Sequence, residues 1–214
     1  MDLQEVQRLA LQGEGLKVEF KRKVDYPDKV AREVVAFANA EGGTLLIGVD
    51  DDGTLSGLKN PEGELFAIRN AIEQFIRPVL KYKNFTIPLN RKKSIVCIEI
   101  PKGRKKPYSI EQEEGGRRQV YFRVEDKSIK ASKELKEIIR GRNYRKNIHI
   151  TYGEEEKFLM EYLETNKLIT CEEFEQKAKI SRKKASEILI KLTLVEILEI
   201  NPSEGKDLFF EKIN

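Results

Sequence analysis

Apolar residues recur along this chain in two rhythms, one helical and one alternating. Leu3, Val6, Leu9 and Ala10 share one side of a helical repeat and predict a short helix over residues 2–12. Gly13 and Gly15 flank Glu14 and let the chain turn. Leu16, Val18 and Phe20 then alternate with Lys17, Glu19 and Lys21, which predicts a half-buried strand with Glu19 and Lys21 on its polar face. Pro27 suits a helix start, and Val30, Val34, Phe37 and Ala38 continue as an apolar stripe that Gly42 and Gly43 close. Residues 44–49 are almost wholly apolar, as in a strand inside a sheet, and deliver Asp50 at its end. Asp51-Asp52-Gly53 is a turn signal, with residues 54–58 expected to return as the second strand of a hairpin. Leu65, Ile68, Ile72, Phe75 and Ile76 mark another helix, ended by Pro78. Strands follow at 85–89, 95–100 and 120–124, then a helix over 131–140.

The rhythm changes after a basic stretch without apolar period, residues 140–146. The expected organisation is a first domain over 1–140, a basic linker over 141–150 and a second domain over 151–214. Thr151 to Glu154 and Thr170 to Glu173 have capping-box spacing ahead of two helices, and Ser181 caps a third. Strands at 195–200 and 208–213 complete the order expected of a winged helix-turn-helix. Arg182, Lys183 and Lys184 lie in the first turn of the third helix, where such helices meet DNA. The order of elements predicts an α+β chain with a small C-terminal winged helix-turn-helix.

Composition narrows the function classes. Charged residues make up 36% of the 214, yet the net charge is only +4, so cations matter by location. Cys97 and Cys171 lie far apart in apolar patterns, which suggests a reducing, cytoplasmic setting and no disulfide framework. The N-terminus lacks a signal-peptide layout, and no apolar run reaches membrane-spanning length. A single histidine, His149, argues against zinc or histidine catalysis.

If the strands carrying Glu19 and Asp50 are neighbours, Glu14, Glu19 and Asp50 gather with Lys21 beside them. Three carboxylates can hold Mg²⁺ or Mn²⁺ to activate water, and Lys21 can neutralise a scissile phosphate. The plainer reading makes Glu19 and Lys21 surface partners and residues 50–52 a simple turn. Arg22 and Lys23 flank this cluster, and Arg104, Lys105, Lys106, Arg117, Arg118 and Arg123 are expected to contact phosphate. Phosphate-loop chemistry is a poor fit, because Gly42 and Gly43 come after a helix and before a strand, the reverse of the order a nucleotide cradle needs. No G-x-x-x-x-G-K-[ST] occurs, so no ATP is expected.

The run from Glu14 to Lys21, the helix ending Phe37-Ala-Asn39-Ala-Glu-Gly42-Gly43, the strand leading into Asp50-Asp51, and Tyr121-Phe-Arg123-Val together resemble the Schlafen AlbA_2 domain over roughly residues 1–140. The resemblance implies a mixed α/β fold, a mixed sheet with flanking helices, that binds nucleic acid. It also implies that Glu14, Glu19 and an aspartate, Asp50 or Asp51, match the catalytic carboxylates of the family members that cleave RNA. Those enzymes use two related lobes, and this chain has one. Two readings therefore stand side by side. A homodimer with nucleic acid as its partner is expected of either, and one is a DNA-binding transcription regulator. The other is a metal-dependent nuclease acting on structured RNA or single strands. Binding is placed ahead of turnover.

Overall fold

The computed structural model describes residues 1–111, 116–143 and 151–212, and the architecture below refers to these. The greater part of the expected linker, His149 included, and the end of the last expected strand lie outside them. The described chain divides into two compact units, Met1–Lys130 and Ala131–Asn214.

In the first unit the order is α1 (Leu3–Gln12), β1 (Val18–Lys21), α2 (Pro27–Asn39), β2 (Gly43–Ile47), α3 (Pro61–Phe75), β3 (Ile76–Arg77), β4 (Lys83–Pro88), β5 (Ser94–Ile100), β6 (Ser109–Ile110), β7 (Tyr121–Val124) and β8 (Lys127–Lys130). The main sheet runs β1-β2-β5-β4. β1 and β2 are parallel, with Glu19 opposite Leu45 and Lys21 opposite Ile47, and α2 makes the crossover between them. β2 with β5 and β5 with β4 are antiparallel. Burial follows the pleat of the sheet. Leu45, Ile47, Val96 and Ile98 join α2 and α3 in one core, whereas Leu46, Ile95, Cys97 and Phe20 meet α1 on the other face. The β7–β8 hairpin packs on α2.

Residues 54–58 form no strand. They contribute isolated bridges at Leu55 and Leu58, because Asp50 accepts from Gly53 N–H and donates its own N–H to Thr54, closing a tight turn. Gly42 and Gly43 stop α2 and bring β2 close beneath it. Gly42 lies at φ 78°, and a Cβ on Gly43 would sit 2.4 Å from the Phe37 ring.

The second unit contains α4 (Lys133–Asn143), α5 (Glu154–Asn166), α6 (Cys171–Ala178), α7 (Arg182–Leu194), β9 (Leu198–Asn201) and β10 (Leu208–Glu211), the last two pairing antiparallel. The sequence placed the helix over 131–140 with the first domain. It belongs here instead, because Ile138 enters the core of Leu159, Phe174, Leu189 and Phe209. Its start is capped by Ser132, whose Oγ accepts from Leu135 N–H. Thr170 and Glu173 form the reciprocal box expected before α6, at 3.1 and 2.9 Å, and Ser181 caps α7. Gly153 takes the capping place expected of Thr151, its N–H bonded to Glu156. Among the described residues no helix is long and apolar enough to cross a membrane.

Candidate functional site

β1 is an edge strand, and Glu14, Glu19 and Lys21 stand on it or just before it. The chain doubles back before β1, with Gly15 N–H on Val18 O at 3.0 Å, and Glu14 Oε1 accepts from Phe20 N–H at 2.8 Å. Glu14 thus occupies the backbone position that a neighbouring strand would otherwise fill. Burial raises its pKa above the ordinary carboxylate value. The Phe20 N–H opposes that, and the charges of Glu19 and Asp51 add to it.

Glu19 is buried, not on an exposed polar face as the alternation predicted. Its register partner Leu45 faces α2, so Glu19 and Lys21 face α2 as well. Glu19 Oε1 accepts from Lys21, which also donates to Phe20 O, and Oε2 accepts from Arg123 Nη2 at 2.7 Å. Arg123 is 1% exposed. Its remaining donors reach Gly15 O, Val18 O, Ser128 Oγ and Glu33 Oε2, the last at 2.9 Å, and it stacks 4.8 Å from the Phe37 ring centroid. The expectation that Arg123 contacts phosphate is therefore corrected. All of its donors are engaged inside the fold, where they make a buried charge tolerable. Glu33, from α2, has no signal in the sequence pattern that marks it as part of this cluster. Burial raises its pKa and Glu19 adds to the rise, while Ser128, Arg123 and Lys21 oppose it.

Asp50 is directed elsewhere. Its Oδ2 accepts from Ser56, and Oδ1 lies 3.5 Å from Arg22 Nε. Asp51 is the turn carboxylate whose charge reaches Glu14, and Asp52 accepts from Thr54 N–H, which lowers its pKa. Of the carboxylates expected to hold Mg²⁺ or Mn²⁺, Glu19 has both oxygens engaged by cations, Asp50 is tied to its own turn, and Glu14 accepts from the backbone of β1. Among the described residues no group of three or more histidines, cysteines or carboxylates is arranged to hold a metal ion.

The expected phosphate contacts separate into classes. Arg104, Lys105 and Arg117 are exposed on loops. Lys23 pairs with Asp25 at 2.9 Å and Arg118 with Glu111 at 3.3 Å. Lys106 is corrected along with Arg123, because its ammonium donates to Asn39 O at 2.7 Å and to Ala40 O, capping the carbonyl end of α2. In the second unit Arg182 lies 3.9 Å from Glu175, Lys184 pairs with Glu155, and Lys183 is exposed.

Asn39 is a structural hub to which the sequence pattern assigns no role. Buried at the end of α2, it donates to Tyr108 O and Tyr121 O at 2.9 and 2.8 Å and accepts from Tyr108 N–H at 2.7 Å. An amide directly after the apolar run Val34 to Ala38 was the available signal.

The segment from Glu14 to Lys21, α2 and the β7 strand that carries Arg123 thus meet around that guanidinium, with β2 paired beside β1. Two solved structures are similar in places. One is the DIP2311 protein of Corynebacterium diphtheriae, at 18% identity and TM-score 0.45 over 65% of this chain, a match that spans only 27% of that longer chain. The other is the N-terminal domain of a RecG-related protein of Nitrosomonas europaea, at 24% identity and TM-score 0.40, covering 55% of this chain and 86% of that one. No curated protein matches in sequence. The family model described as Schlafen, AlbA_2 matches residues 14–132, from the carboxylate that closes the edge of β1 to just past the hairpin that supplies Arg123. By that match over more than half its length, the chain belongs to the Schlafen AlbA_2 family.

Proposed function

We propose that this chain binds nucleic acid as a DNA-binding transcription regulator whose second unit works as a winged helix-turn-helix. One observation carries the reading. α6 and α7 are joined by a three-residue turn, residues 179–181, with Lys179 left-handed at φ 53° and ψ 40°, and α7 opens on Arg182, Lys183 and Lys184. The β9–β10 hairpin follows in the place of a wing. The carboxylates near this turn do not defeat the reading. The pairs to Glu175 and Glu155 are open to solvent, which screens them, and a phosphate can replace either carboxylate. The reading includes a homodimer acting in the cytoplasm, for which two half-sites about one helical turn apart are the expected DNA signature.

The test is fluorescence anisotropy of the full chain on duplex DNA across a salt series. Replacing Arg182, Lys183 and Lys184 by Ala is expected to weaken binding and to flatten the log–log salt slope by up to about 2.7, three phosphate contacts at about 0.9 each. Unchanged affinity and slope would remove α7 from the interface. The proposal concerns binding alone.

A further inference from the structure

We infer that the first unit carries a separate groove for single-stranded nucleic acid, between residues 79–81 and 101–105. It is a cavity of about 630 Å³ whose walls hold four cations, Lys81, Lys102, Arg104 and Lys105, and no carboxylate. Lys102 is bonded to Glu41 at 2.7 Å, outside the groove. Lys81, Arg104 and Lys105 make no ion pair among the described residues. The same cavity is lined by Val79, Leu80 and Pro101, and Val79 is 82% exposed. Cations alone would suit any polyanion. Cations next to an uncovered apolar wall suit one that also presents base faces, which a single strand does and a duplex, with its bases stacked on one another, does not. The volume falls within the range of about 300–1,000 Å³ typical of small-ligand sites, room for roughly one or two nucleotides.

The groove is preorganised. Gly103 N–H donates to Ala38 O at 2.8 Å, and a Cβ at Gly103 would lie 2.3 Å from the Tyr108 ring. Lys106 and Asn39 hold the next turn of the loop on α2. Arg104 and Lys105 therefore project from a fixed backbone, and binding need not order the loop. The adjoining cavity makes the contrast. It shares Lys81 and Pro101, but Glu5, Glu41 and Glu99 there offset most of the charge of Arg8, Lys17, Lys81 and Lys83, so phosphate is favoured more on the 101–105 side, whose walls hold no carboxylate.

This groove uses none of the residues proposed to meet duplex DNA, so either proposal can fail without the other. The test is anisotropy of the full chain with fluorescein-labelled oligothymidylate and, in parallel, with duplex DNA. K81A/R104A/K105A is expected to lose about tenfold or more in oligothymidylate affinity and about two in salt slope, three contacts at about 0.7 each. Its duplex affinity is expected to move less than about twofold, whereas R182A/K183A/K184A shows the reverse pattern. The charge-matched control K59A/R91A/K92A is expected to shift oligothymidylate binding less than about twofold. All of these side chains are exposed, and circular dichroism melts verify folding. The proposal is overturned if the groove variant binds oligothymidylate normally, if the control loses as much, or if polyglutamate competes as well as the oligonucleotide at equal charge.

Discussion

Replacing Arg123 by Met tests whether the carboxylates at the edge of β1 are held by a buried cation. Met keeps the apolar stem but removes the donors to Glu19, Glu33, Ser128 and the carbonyls of Gly15 and Val18. Two carboxylates would then face each other with less compensation, Glu19 keeping Lys21 and Glu33 keeping Ser128. Breaking a buried pair of this kind costs about 3–5 kcal/mol. For a unit of about 130 residues that lowers the calorimetric midpoint by roughly 10–20 °C. The pH dependence makes the test specific. Burial, and next the charge of Glu19, raise the Glu33 pKa, so the folded chain binds more protons there than the unfolded chain does. Stability from this group is thus fullest near the ordinary glutamate range and falls as pH rises through the raised value. Arg123 opposes the rise, so R123M should lose more stability than the wild type as pH rises above the ordinary glutamate range. R123M/E33Q should recover part of the loss at the upper end. Differential scanning calorimetry of the full chain at three pH values measures all of this. An R123M variant within about 1 kcal/mol of wild type, or one that gains stability with rising pH, would refute the reasoning.

Two further outcomes follow from buried groups. Asn39→Ala removes three hydrogen bonds and strands Tyr108 N–H and two carbonyls, so urea unfolding should show a loss of about 2–4 kcal/mol. Both cysteines are buried, and burial pushes each thiol up to about 12. Ellman's reagent near neutral pH should find neither thiol in the native chain and both after guanidinium unfolding, and prompt native labelling would contradict that burial.

Local periodicity was enough to read most elements. Each helix stripe and each apolar strand records a choice that neighbouring residues make together, and the box of Thr170 with Glu173 or the stop at Gly42 and Gly43 needs only a few residues. The family was legible for the same reason, since its motifs are short runs in a fixed order. Periodicity misled where a side chain's partner is distant in sequence. Glu19 alternates like a solvent-facing residue, yet it is buried because Arg123, 104 positions later, supplies a charge at the same spot. Lys106 reads as one of three free cations until the end of α2, 67 positions away, presents its carbonyls. Asn39 has meaning only when Tyr108 and Tyr121 are beside it. The sequence alone determined where charges stand and which segments form helices and strands, because those follow from local geometry. Tertiary structure alone decided which charges are neutralised inside and which still face water, because a buried charge is tolerated only where packing brings its counter-charge within bonding distance.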